Sequence, residues 1–108
     1  MFNFFKKKPK YYIHLEGDSE VPPIAIYDKK VVIGRGSNHV LVLPDNSISR
    51  NHLEISYSDG KIQIIDLGTS NGTKLDGHLI PANIPVSYTE GQALVLGQSA
   101  LIIKIECA

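Results

Sequence analysis

The chain of 108 residues has no Trp, and its three Phe (Phe2, Phe4 and Phe5) all fall within the first five positions. Any core must therefore come from Ile, Leu and Val with some Tyr, a bias that favours sheet. A single Cys, Cys107, excludes an intrachain disulfide, and no Cys/His spacing suited to a metal exists; no cofactor is implied. No apolar run approaches the ~20 residues of a membrane-spanning helix. From Tyr11 onward, no stretch keeps helical spacing of apolar residues over the roughly 11 positions that an amphipathic helix requires. Arg is scarce too, with only Arg35 and Arg50.

The zero net charge conceals an asymmetry. Four Lys lie in residues 1–10, which leaves seven basic against eleven acidic residues in 11–108. An acidic domain repels a nucleic-acid backbone, so no nucleic-acid partner is expected. Residues 1–10 place their charge after the aromatics and lack a long apolar stretch, so they do not form a secretory signal. They are expected to be a flexible, solubilising Phe/Lys tail, able at most to touch an anionic membrane weakly. Residues 11–108 form one domain, expected to be cytoplasmic and a monomer or weak oligomer.

What remains is a succession of short β runs. Strands are expected near Tyr11–Glu16, Ile24–Tyr27, Val31–Gly34, Val40–Leu43, Leu53–Tyr57, Lys61–Asp66, Thr73–Leu75, His78–Ile80, Val86–Ser87, Ala93–Leu96 and Ala100–Glu106. Glu16-Gly17-Asp18-Ser19 reads as a turn, and Asp59-Gly60 and Asp76-Gly77 are hairpin signals. Val21-Pro22-Pro23 and Ile80–Pro85 are loops or edges, since Pro cannot donate in a ladder. Eleven short strands in about 95 residues predict an all-β, two-sheet β-sandwich. Its inward positions should be Ile13, Leu15, Ile33, Leu41, Leu43, Ile55, Ile64, Leu94, Leu96 and Ile103.

Three loops concentrate polar groups. Gly34-Arg35-Gly36-Ser37-Asn38-His39 follows a strand, but His39 stands where a dinucleotide fingerprint needs its third Gly, and a strand follows instead of a helix. The Arg between two glycines is left to project its fork outward, the geometry preferred for phosphate. Asn46–His52 supplies the other Arg, the Ser49 hydroxyl and an imidazole. Asp66–Thr73 exposes hydroxyls, an amide and backbone N–H groups between Gly68 and Gly72, both able to take positive φ. Ser49, His52 and Asp66 make a poor triad, with no nucleophile elbow or oxyanion hole, so no enzyme is expected.

Gly34-Arg35, then Ser49-Arg50-Asn51-His52, then Asp66–Thr73 with Asp76-Gly77 resembles the forkhead-associated (FHA) domain over about residues 11–106. The resemblance implies an eleven-strand sandwich of the FHA/SMAD-like type that binds phosphothreonine-containing proteins or peptides on loops at one end, a signalling or assembly adaptor. It implies that Arg35 binds the phosphate, that Ser49 and Ser70 contact it, and that Arg50 lies against phosphate or peptide backbone. Asn71 would hydrogen-bond the main chain just after the phosphothreonine. Gly34, His52 and Gly72 would shape and brace the loops. Ser47 matches a position that can help choose the residue three after the phosphothreonine. His39-Val40 and Asp76-Gly77 depart from the family's commoner Asp-Ile and Asn-Gly. The alternative is a phosphate-independent interaction or oligomerisation module on the same fold.

Overall fold

The computed structural model describes residues 7–17 and 21–108. The expected tail through Lys6, including Phe2, Phe4 and Phe5, and the Asp18-Ser19 part of the first turn lie outside the described residues. Among the described residues there are ten strands, all paired antiparallel: β1 (Tyr11–Glu16), β2 (Ile24–Ile26), β3 (Lys30–Ile33), β4 (Leu53–Ser58), β5 (Lys61–Asp66), β6 (Thr73–Leu75), β7 (His78–Leu79), β8 (Val86–Tyr88), β9 (Leu94–Leu96) and β10 (Ile102–Cys107). They form two sheets, β2-β1-β10-β9-β6-β7 and β3-β4-β5-β8.

The two-sheet, all-β architecture is the one expected, with ten strands where eleven were predicted. The difference is Val40–Leu43. Its alternation is real, with Leu41 and Leu43 buried and Val40 and Val42 exposed, yet it makes only one isolated bridge, between Val42 and Gly34. An extended segment without a ladder buries every second side chain without becoming a strand.

Alternation explains the layers. Along β5, Ile62 and Ile64 face the core while Lys61 and Gln63 face water. The interior is packed with Ile13, Ile33, Leu53, Ile55, Ile64, Leu94, Leu96 and Ile103, each at most 1% exposed. Every core position expected from the sequence is buried except Leu15, which is half-buried against the cluster. Asp59-Gly60 joins β4 to β5 and Asp76-Gly77 joins β6 to β7. Both central residues of each turn have positive φ (50° and 77°, then 50° and 83°), as a type I′ turn requires.

The ladders fix which loops share an end. β4 and β5 pair from Leu53↔Asp66 to Ser58↔Lys61, so residues 34–52 and 67–72 emerge together at the Leu53/Asp66 end. The start of β1 and the end of β10 lie at the other pole. Tyr11 pairs with Cys107, the Ala108 N–H donates to the Lys10 carbonyl (3.2 Å), and the Cys107 thiol reaches the carbonyl of Gly60 in the far turn (3.6 Å).

Candidate functional site

The loops at the Leu53/Asp66 end are stitched together by backbone. Gly34 is buried directly under the 49–50 segment; a Cβ there would overlap the Arg50 carbonyl oxygen and come within 2.6 Å of that of Ser49. That close approach lets the Arg35 N–H donate to the Ser49 carbonyl (3.0 Å) and the Gly36 N–H to that of Arg50 (3.1 Å). The Arg35 side chain is tied as well, its Nε–H donating to the Ile48 carbonyl at 3.0 Å. The guanidinium is thereby held in one orientation, and its two terminal amino groups make no hydrogen bond among the described residues. No ion pair among the described residues involves Arg35 or Arg50.

His52 is the strut between the second and third loops and is fully buried. The Ser49 N–H donates to its Nδ1 (3.0 Å), so that nitrogen is an acceptor and the proton sits on Nε2, which donates to the Gly72 carbonyl at 2.9 Å. Burial holds its pKa below the ordinary value, against the opposing influences of the Gly72 bond and the Asp66 charge. The ring is therefore neutral and fully used. His52 meets the Ser49 amide and not its hydroxyl, and Asp66 Oδ1 stands 3.7 Å from Nε2, so the three residues assemble no proton relay.

Asp66, 2% exposed, organises the third loop. Its Oδ1 accepts from the hydroxyls of Thr69 (2.8 Å) and Thr73 (2.6 Å), and its Oδ2 from the N–H groups of Gly68 (3.1 Å) and Thr69 (3.0 Å). The Thr69 hydroxyl in turn accepts from the Gly72 N–H (3.0 Å). Burial is the largest single influence on this carboxyl and raises its pKa. The hydrogen bonds from Thr73 and Thr69, with His52 nearby, outweigh it and hold the group below the usual carboxylate range. Gly72, with φ of 76°, turns the chain back towards β6 under the Leu79 side chain.

Ser70 and Asn71 stand exposed at the apex of this loop. Asn71 reaches across to the second loop, its Nδ2 donating to the Ser47 carbonyl (2.9 Å), which leaves its Oδ1 as an acceptor. The Ser47 hydroxyl is consumed internally, donating to Asp45 (2.7 Å) and accepting from the Gln98 N–H (2.9 Å). Arg35 and Arg50 line one cleft with Ser37, Asn38, His39 and Asn51. The structure thus joins Arg35, Ser49 and Arg50 through the backbone and Asn71 through Ser47, while Ser70 is placed by its neighbour Asn71.

Sequence reasoning missed the Asp66–Thr69–Thr73 network and the clasp of His39, whose Nε2–H donates to the Arg50 carbonyl at 2.7 Å. The first had a signal, since Asp followed three residues on by Thr favours local side-chain-to-backbone bonding. The second had none. Among the described residues, no group of three or more His, Cys, Asp or Glu side chains could hold a metal, and no helix is long and apolar enough to cross a membrane.

Comparison with known proteins adds a family. The family model described as the FHA domain matches residues 31–97. The chain is 36% identical over 78 residues to the FHA domain-containing protein FhaA of Mycobacterium tuberculosis, covering 68% of this chain and 14% of FhaA. It is 28% identical over 95 residues to FhaB of the same species, covering 88% of this chain and 60% of FhaB. The chain therefore spans only part of these relatives. In fold it superposes on the N-terminal FHA domain of S. cerevisiae Rad53p in complex with a phosphothreonine peptide, with a TM-score of 0.80 at 18% identity over 92% of this chain and 94% of that one.

Proposed function

The chain belongs to the FHA domain family, and from that premise we propose that it is an adaptor that binds phosphothreonine-containing proteins through the loops at the Leu53/Asp66 end. Arg35 takes the phosphate with its two terminal amino groups, Ser49 and Ser70 donate hydroxyls to it, and Arg50 neutralises phosphate or steadies the peptide backbone. Asn71, held by Ser47, presents its Oδ1 to the main chain after the phosphothreonine. Gly34, His52 and Gly72 keep the three loops at fixed separations. The observation that carries this reading is the Arg35 guanidinium, fastened through Nε at 3.0 Å and engaged in no ion pair among the described residues. A pre-oriented, uncompensated guanidinium in an acidic domain suits a doubly charged anion.

Charge-assisted hydrogen bonds contribute about 1.5–3 kcal/mol each. Ordering and association costs offset much of their sum, so a micromolar Kd, near −8 kcal/mol, is expected. The lone thiol of Cys107 fits a reducing cytoplasm, where such a partner would be met. Residues 1–10 act as an accessory tail, and their removal should leave peptide affinity unchanged.

The test is a phosphothreonine peptide and its unphosphorylated twin, titrated by calorimetry against the wild type and Arg35→Ala. Binding of the phosphorylated peptide alone, lost in Arg35→Ala, is expected. Equal binding of the two peptides would favour a phosphate-independent interaction module.

A further inference from the structure

The cleft beside Arg35 holds more donors and positive charge than one phosphate takes up. A phosphothreonine phosphate presents three acceptor oxygens, and the Arg35 amino groups with the Ser49 and Ser70 hydroxyls can meet them. Left over are the donors of the exposed Arg50 guanidinium that phosphate or peptide backbone does not occupy, and the polar side chains of Ser37, Asn38 and Asn51, which share that cleft with His39. No carboxylate lines it. His39 and Gly36 both bond the Arg50 carbonyl, so the two walls are fixed relative to one another.

The contacts on the second loop fall in chain order. Asn71 bonds Ser47, Arg35 bonds Ile48 and Ser49, and Gly36 and His39 bond Arg50. Arg35 therefore stands between Asn71 on one side and the His39–Arg50 cleft on the other. With a phosphothreonine at Arg35 and its following main chain at Asn71, the residues before it run towards Arg50. We propose that this cleft is a second anion subsite, reading a carboxylate or a further phosphate on one of the few residues preceding the phosphothreonine. The proposal rests on the phosphothreonine reading of Arg35 and Asn71. An extended peptide advances about 3.3 Å per residue, so three residues span roughly 10 Å, within reach of a long Arg side chain.

Fluorescence anisotropy at low salt tests it with four labelled phosphothreonine peptides. One has neutral flanks, one carries Glu in the three preceding positions, one carries Glu in the three following positions, and one carries phosphoserine two residues before. The wild type should bind the preceding-Glu and phosphoserine peptides about three- to tenfold tighter than the neutral one, the range open to half-exposed charge-assisted bonds. The following-Glu peptide should gain nothing. Whichever anion gains more identifies its source. Asn38→Asp puts a carboxylate into the cleft at an exposed position, and there the ratio of preceding-Glu to neutral affinity should fall to one or below.

Equal affinity for the neutral and preceding-Glu peptides, an equal gain from following Glu, or a gain that survives Asn38→Asp overturns the subsite while leaving phosphothreonine binding intact. Failure of the neutral-flank peptide to bind the wild type overturns both.

Discussion

Replacing Asp66 by Ala should destabilise the domain by about 3–6 kcal/mol and loosen the loop that carries Ser70 and Asn71. The carboxylate accepts four hydrogen bonds, two from hydroxyls and two from backbone N–H groups. Their fates on truncation differ. Gly68 is exposed and its N–H can turn to water, whereas Thr73 is 1% exposed and its hydroxyl would be stranded. A hydrogen bond to a charged group is worth about 1.5–3 kcal/mol, and two bonds without replacement give the quoted range. His52 loses its nearby anion as well. Against a total stability of roughly 5–15 kcal/mol the variant should still fold. In urea, with a slope near 1–2 kcal/mol/M, its midpoint should fall by about 2 M or more. Asp66→Asn keeps one acceptor for the two N–H groups and turns its amide towards hydroxyls that can accept, so it should lose about half as much. Thr73→Val removes one of the four bonds and should cost about 1.5–3 kcal/mol. Phosphopeptide affinity should fall roughly tenfold in Asp66→Ala, because ordering the loop then draws on binding energy. If Asp66→Ala unfolds within 0.5 kcal/mol of the wild type, a threshold of about the size seen for inert surface substitutions, the carboxylate does not hold the loop.

Acid should weaken the fold in two stages. His52 has a folded pKa below its ordinary value near 6.5 because it is buried neutral, so its stabilising effect is complete above about pH 6.5 and is lost as pH falls from there. Asp66 is also depressed, so its effect is complete above about pH 4 and is lost below that. Urea midpoints against pH should show both declines in the wild type, and Asp66→Asn should keep the first and diminish the second. Gly34→Ala drives a methyl group into the Arg50 carbonyl, so it should cost about 1–3 kcal/mol and abolish phosphopeptide binding; thermal melting and titration check both, and a stable, binding-competent variant would show that the 49–50 segment yields. Tyr11→Phe should be neutral or stabilising by up to about 1 kcal/mol, since the buried Tyr11 hydroxyl has no partner among the described residues. A loss above that in chemical denaturation would reveal a bond to the hydroxyl.

The parts of the fold legible in the sequence are those written in local chemistry. Asp59-Gly60 and Asp76-Gly77 announce their turns because the backbone there needs two residues tolerant of positive φ, and the period-two alternation marks which side chains go inward. Val40–Leu43 misled for a related reason: alternation reports burial, while a strand also needs a ladder partner, and nothing local says that only Gly34 is within reach. At the candidate site, the sequence names side chains but not their fastening. That the Arg35 Nε is spent on Ile48, that Ser47 is occupied by Asp45 and Gln98, and that Asn71 spans two loops all depend on contacts distant in sequence. These contacts decide which atoms remain for a ligand.

Lys10 and Ala108 sit side by side at the pole away from the loops of the Leu53/Asp66 end. A longer polypeptide passing through that pole would carry the folded unit as a side branch, spliced between neighbours or strung in series with its Leu53/Asp66 end turned outward. If each unit binds as proposed, two on one string would favour doubly marked targets, and the length of the string, not any rearrangement of the sandwich, would set how strongly one capture favours the next.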